Sequence, residues 1–170
     1  MQSLTLSSPR LQLTPFPKDE LALFHQLNTS PFVRQYLWDD EVISIELAAQ
    51  ILDQNARHFK EDQFGLWKIS NKETDELIGY AGLWFFFEEP QPQLIYALHP
   101  EAAGNGYATE AARLVIDYAF QELNFNYLIA ATDEPHLASQ AVAQRLGMQE
   151  DRTESMDGKV TVFFRLEKKS

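Results

Sequence analysis

Cysteine is absent from the 170 residues. That excludes disulfides, Cys-ligated zinc or iron–sulfur sites, and any Cys nucleophile or acyl-cysteine intermediate. Positive charge is scarce. Lys and Arg number 14 against 25 Asp and Glu, a formal net charge of −11. Such a chain is a poor general binder of nucleic-acid backbone, whose affinity comes largely from clustered Lys and Arg. Surplus acid serves solubility first and also suits a cationic substrate such as an amine. Long apolar runs are missing too. The longest, around Tyr80–Phe87, is far short of the roughly 20 residues of a membrane helix. The opening MQSLTLSSPR has neither the basic start nor the apolar stretch of a secretory signal, so a cytoplasmic location is expected. The four histidines show no ligand spacing, and no metal is expected.

What is present is ordinary globular composition, with 45% hydrophobic and 23% charged residues. Disorder, collagen and coiled coil are excluded. The length suits one domain of roughly 100–200 residues, so a single domain over 1–170, with its core at about 10–167, is expected.

Arg10–Thr14 alternates and stops at Pro15 and Pro17, which reads as an edge-type strand. Lys18–Leu27 reads as a short helix ended by the turn cluster Asn28–Pro31. Ser44 is a candidate N-cap, and Ile45, Ala48, Ala49, Leu52, Ala56 and Phe59 recur at helical spacing, predicting a helix over Ser44–Lys60. Phe64–Ser70, Glu76–Phe86 and Gln93–Leu98 are strand-like and read as an antiparallel meander. From Gly104 to Leu123 a helix follows, its stripe running Ala108, Ala111, Ala112, Val115, Ala119, Leu123. Asn126–Thr132 is a short apolar strand, so strand, glycine turn, helix and strand predict a parallel βαβ crossover. Pro135–Leu146 reads as a helix with Gly147 as its C′ residue, and Val160–Leu166 as a closing strand. The fold class is α/β, with a mixed α+β sheet.

The sharpest chemical signal is the stretch from Leu98 to Glu110, LHPEAAGNGYATE. Two glycines two residues apart permit a tight turn and close backbone approach to a ligand. The helix that follows opens with unpaired N–H groups at its positive dipole end, a place for a pyrophosphate. An ATP-type loop would need Gly-Lys-Ser/Thr, which is absent. A dinucleotide fingerprint would need a third glycine and an acidic residue about 20 positions on; position 126 is Asn. A coenzyme-A pyrophosphate turn needs only the x-x-G-x-G cradle and the helix. A plain strand-to-helix turn is the competing reading.

Gly104–Ala112 (GNGYATEAA), the helix to Phe120, the strand Tyr127–Ala131, and Ser139 followed by Arg145-Leu146-Gly147-Met148 together resemble the GNAT acyltransferase superfamily. Within it, they resemble the branch that contains the ribosomal-protein N-terminal acetyltransferases. Arg10-Leu11-Gln12-Leu13, Phe64-Gly65-Leu66-Trp67 and Leu77–Leu83 fit that branch too. The resemblance implies a twisted mixed sheet of about seven strands with about four helices. Its central parallel strands, here Gln93–Leu98 and Asn126–Thr132, splay apart. It implies acetyl-CoA in that cleft, with pyrophosphate on Ala103, Gly104, Asn105, Gly106, Tyr107, Ala108 and Thr109. The thioester carbonyl would meet backbone at Ala97, Leu98 and His99. Ser139 matches the family serine near the thiol and serves as cofactor contact or proton donor; Arg145 and Arg113 are candidate phosphate contacts. The implied activity is direct acetyl transfer, in a ternary complex, to a primary amine: a protein N-terminal α-amine or a small amine.

Several positions depart from the family pattern. Gln93 stands where an acidic residue is common, Ile95-Tyr96 where Gly-Tyr is usual, Ala103 for an aromatic, Asn105 for Arg, Lys or Gln, and His136 for Asn. They motivate a second reading, a module that holds acyl-CoA with little or no catalysis. His136, of a residue type that titrates near neutrality, is a candidate base, a pantetheine contact in the place of the family Asn, or a solvated surface histidine. Tyr96 is a candidate oxyanion donor or a packed aromatic, and Asp133 and Glu134 are candidates to hold an ammonium group. Trp84-Phe85-Phe86-Phe87 reads as an acceptor wall, a homodimer contact, or a strand covered on both faces.

Overall fold

The computed structural model describes residues 4–86, 90–156 and 158–169. In chain order they form β1 (Leu6–Ser7), β2 (Leu11–Pro15), a 3-10 turn (Lys18–Glu20), α1 (Leu21–Thr29), α2 (Pro31–Leu37) and α3 (Ile45–Glu61). There follow β3 (Leu66–Asn71), β4 (Leu77–Trp84), β5 (Gln93–Leu98), a 3-10 turn (Pro100–Ala102) and α4 (Tyr107–Gln121). The chain then completes β6 (Tyr127–Asp133), α5 (Leu137–Arg145), β7 (Gln149–Met156) and β8 (Lys159–Glu167). No helix among these residues is long and apolar enough to cross a membrane.

The strands form two antiparallel sheets, in the orders β1-β2-β3-β4-β5 and β6-β8-β7. The predicted meander is β3-β4-β5, with Tyr80 opposite Ala97 and Lys68 opposite Tyr80. β5 and β6 lie side by side at the junction, joined in sequence through α4, but no hydrogen-bonded ladder links them. The parallel crossover predicted here is therefore a splayed pair. Gln91 Nε2 donates to the carbonyl of Tyr127 and ties the start of β6 to the chain entering β5.

Strand alternation sends Leu66, Tyr80 and Ala97 toward α1, α2 and α3, while Trp67, Ala81, Leu83 and Leu94 face α4. β4 is thus covered on both faces, and its middle six residues are buried. α4 presents Ala111, Ala112, Val115 and Ala119 to the core, fully buried. Small side chains let this helix sit close against β4 and β5.

Several expectations need correction. The Asn28–Pro31 cluster is no plain turn. α1 runs to Thr29 and α2 starts at once, with Pro31 in its first turn, where a missing N–H costs nothing. Lys18–Glu20 is 3-10. β4 ends at Trp84, before Phe86. β1 and β7 are additional, giving eight strands and five α-helices among the described residues. β7 (QEDRTESM) has no apolar alternation because it is the outer strand of its sheet, paired only with β8. Backbone pairing makes it a strand, and Arg152 lays its guanidinium 4.1 Å from the Phe163 ring centre. The predicted ends hold better. Ser44 Oγ accepts from the Leu47 N–H at 3.0 Å. Gly147 has φ +85°, and the N–H groups of Gly147 and Met148 close on the carbonyls of Gln144 and Ala143, a Schellman end to α5.

The predicted α3 stripe differs at two places, and the first is Ile45, which is exposed at the start of the helix. Ala56 is exposed, and the fully buried residue is its neighbour Asn55. Its Oδ1 accepts from the Leu66 N–H at 2.7 Å and its Nδ2 donates to the Leu66 carbonyl at 3.2 Å. α3 is thereby fastened to the first residue of β3. Asn55→Ala should cost about 1–3 kcal/mol, since it strands a buried N–H. Urea unfolding at unchanged m-value checks this; a loss under a few tenths of a kcal/mol would mean water replaces the amide.

Candidate active site

The splay between β5 and β6 opens a cleft of about 1230 Å³. One end is built by the glycine turn. Gly104 and Gly106 adopt φ +83° and +78°, left-handed values that a side chain disfavours. Gly106 is the N-cap of α4, and no side chain caps that end. The first intrahelical bond runs from the Glu110 N–H to the Gly106 carbonyl. The N–H groups of Tyr107, Ala108 and Thr109 consequently point out of the helix at its positive end. These residues, with Ala103, Gly104 and Gly106, line the cleft. Asn105 folds back instead, donating from Nδ2 to the carbonyls of Ala102 and Ala103 at 3.1 and 3.3 Å. It braces the turn from within.

Further in, β5 and α5 approach each other. The Tyr96 hydroxyl donates to the Ser139 carbonyl at 3.0 Å and stands 3.2 Å from Ser139 Oγ. Burial pushes the Tyr96 phenol up, and the bond to Ser139 offsets this only in part. The phenol is therefore protonated at neutral pH and acts as a donor. His136, at the N-cap of α5, lines the same cleft. Burial lowers its pKa, and the charge of Asp133 pulls the other way without prevailing. Its neutral imidazole is favoured.

The remaining expected residues divide. Ala97, Leu98 and Arg145 line the cleft. His99 gives its N–H to the Ile78 carbonyl at 2.9 Å in the sheet. Arg113 lines the cleft but donates from Nη2 to the Arg145 carbonyl at 2.7 Å, at the C-terminal end of α5. Asp133 pairs with the chain's own Lys159 at 3.0 Å, and Lys159 also reaches Asp39. Glu134 is exposed. Gln93 is buried and donates to the Phe86 carbonyl at 3.1 Å, so it braces Phe86 at the cleft wall. Phe85 turns away to His58 and Phe64. Phe87 lies outside the described residues.

Sequence reasoning missed two contributors. Phe32, Val33 and Leu37 of α2 line the cleft. Pro31 followed by apolar residues at helical spacing was the available signal. α2 is held by Asn28, whose Oδ1 accepts from Tyr80 Oη at 2.7 Å and from Trp38 Nε1 at 3.0 Å. The second contributor is Glu110, in the first turn of α4 and lining the cleft. Burial alone would raise its carboxyl. Hydrogen bonds from Ser8 and Arg10, with the Arg10 charge, outweigh burial and hold it below the usual range.

Residues 10–149 match the family described as "Acetyltransferase (GNAT) domain". The chain belongs to the GNAT acetyltransferase family. It is an N-acetyltransferase of a family whose acyl donor is acetyl-CoA. Among its relatives is the spermidine N(1)-acetyltransferase of Escherichia coli K12, 24% identical over 141 residues, which covers 83% of this chain and 74% of that one. The acetyltransferase of Agrobacterium tumefaciens strain C58 superposes with a TM-score of 0.84 at 24% identity, over 99% of this chain and 96% of that one. RimL, a ribosomal L7/L12 alpha-N-protein acetyltransferase solved with coenzyme A, superposes with a TM-score of 0.80 at 18% identity, over 96% and 97%. The acetyltransferase fold expected from the resemblance is thus present.

Alkaline titration of tyrosinate absorbance tests the core of this site. Tyr96→Phe should remove one late-ionising phenol and leave the early phase intact. Loss from the early phase would place the Tyr96 hydroxyl in water.

Proposed function

We propose that this acetyltransferase moves an acetyl group directly from acetyl-CoA to a primary amine, with both bound in the β5–β6 cleft. The observation that carries the reading is the pairing, in one cleft, of an uncapped helix N-terminus on a glycine turn with the Tyr96–Ser139 hydroxyl pair. The turn suits a pyrophosphate, because three outward N–H groups and the helix dipole favour negative charge where a β-carbon would intrude. The cleft volume suits an extended pantetheine chain.

Transfer requires a neutral amine, attack on the thioester carbon, and departure of a thiolate that takes up a proton. His136 accepts the proton the attacking nitrogen loses, for which a neutral imidazole is the right form. Ser139 Oγ hydrogen-bonds the departing sulfur, and Tyr96 fixes that hydroxyl. No covalent acyl-enzyme is needed, and the chain has no cysteine to form one. The acceptor is a protein N-terminal α-amine or a small amine. An α-amine, with pKa of about 7.7–8.0, is partly neutral near pH 7, whereas an amine near 10.4 is neutral about once in several thousand molecules. Among the described residues that line the cleft, His136 is the one histidine and the carboxylates Asp39, Glu110 and Asp133 are each held in an ion pair, which favours the α-amine.

Calorimetric titration with acetyl-CoA, CoA, NAD and ATP, followed by a thiol-release screen over N-terminal peptides, polyamines and amino acids, tests this. Micromolar CoA-selective binding and free CoA with at least one amine are expected. A folded protein that ignores acetyl-CoA, or prefers NAD, overturns the reading. Gly106→Trp should abolish acetyl-CoA binding in a folded protein. The acid limb of kcat/KM should fall below the ordinary imidazole range, and His136→Gln should remove it; a limb that survives assigns the base elsewhere.

A further inference from the structure

Arg10 lies immediately before β2, far in sequence from the glycine turn, yet the fold sets it beside that turn. Its Nε donates to Glu110 Oε1 at 2.8 Å, and its backbone N–H donates to Glu110 Oε2 at 3.2 Å. Its guanidinium carbon lies 4.5 Å from the centre of the Tyr107 ring. Its Nη2 lies 3.5 Å from where a β-carbon on Gly106 would stand. No acceptor among the described residues is bonded to that Nη2. The Ser8 hydroxyl donates to Glu110 Oε2.

This arrangement answers a problem of charge. The turn supplies neutral N–H donors, and the Asn105 amide is spent on the loop's own carbonyls. Glu110 puts a carboxylate in the helix turn that would face a polyanion, in a chain of net charge −11. An arginine has five N–H donors in a planar fork and can hold a carboxylate on one edge while meeting a phosphate on another. Stacking on Tyr107 keeps the plane in place.

We propose that Arg10 is a phosphate ligand of the coenzyme, anchored by Glu110 and Tyr107, with its Nη2 on a phosphate oxygen at the Gly106 turn. The inference rests on the acetyl-CoA reading above. The test is calorimetric affinity for acetyl-CoA and for 3′-dephospho-CoA, measured on wild type, Arg10→Gln, Glu110→Gln and the double variant. Arg10→Gln should weaken acetyl-CoA binding about tenfold or more, with or without Glu110, as loss of a charge-assisted hydrogen bond does. A loss that persists with 3′-dephospho-CoA assigns the contact to the pyrophosphate, and one confined to the full coenzyme assigns it to the 3′-phosphate. Either supports the proposal. A loss seen only when Glu110 is intact would make Arg10 a mere counter-ion and overturn it, as would unchanged affinity. If Arg10→Gln does not fold, Arg10→Lys carries the same test, because one ammonium cannot span carboxylate and phosphate. Wild type that fails to bind acetyl-CoA overturns the functional reading itself, whereas binding by wild type with unchanged variants overturns only the role of Arg10.

Discussion

The absence of a hydrogen-bonded ladder between β5 and β6 is the constraint on which this molecule turns. Each strand is paired on its other side, β5 with β4 and β6 with β8. A continuous sheet would fill the junction with backbone bonds and leave no cleft. The splay survives because other contacts hold the two sheets together. α4 packs against the first sheet and against α5, one apolar cluster runs from Leu83 and Leu94 to Leu128 and Phe164, and Gln91 fastens the entry to β5 onto Tyr127. Burial of that cluster supplies the cohesion which the missing ladder does not.

The cleft then acquires its chemistry from the elements that end at its rim. β5 brings Tyr96, α5 brings Ser139 and His136, and the turn into α4 brings outward N–H groups. Tyr96 is both a strut between β5 and α5, through the Ser139 carbonyl, and a donor whose proton burial retains. The same burial has the opposite consequence for His136, which it keeps neutral. Desolvation always disfavours the charged form, so one cause yields a protonated phenol and an unprotonated imidazole in one cleft.

Electrostatics is arranged locally against the sign of the whole. The chain is strongly acidic, yet each carboxylate that lines the cleft among the described residues meets a cation. Glu110 is met by Arg10 and Ser8, and Asp133 and Asp39 by Lys159. The Asp133 pair takes that carboxylate out of service as a ready-made ammonium site. Through Lys159 it also ties the segment after α2, where Asp39 lies, to the end of β6. At short range in a partly desolvated cleft, such pairs govern what a bound anion or amine meets, while distant surface charge is screened.

Much of this was legible in the residue order, where the cause was local. Ser44 as a cap, the alanine stripe of α4, Gly147 as a helix stop and the two-glycine turn are consequences of backbone geometry and side-chain size within a few positions. The run from Gly104 to Ala112 with Ser139 and Arg145–Met148 carried the family, and with it the cleft. What stayed hidden depended on contacts between distant segments. β7 is a strand because β8 lies beside it, α2 is a wall because Asn28 meets Tyr80 and Trp38, and Asn55 is buried because β3 begins at Leu66. The sequence by itself determined α3, α4, α5 and the glycine turn, since propensity and capping act along the chain, and its resemblance to the family carried the reaction class. Only the tertiary structure decided that Tyr96 meets Ser139 across 43 positions and that Arg10 meets Glu110 across 100. Those pairings follow from the packing of whole sheets and helices, which no short stretch of residues contains.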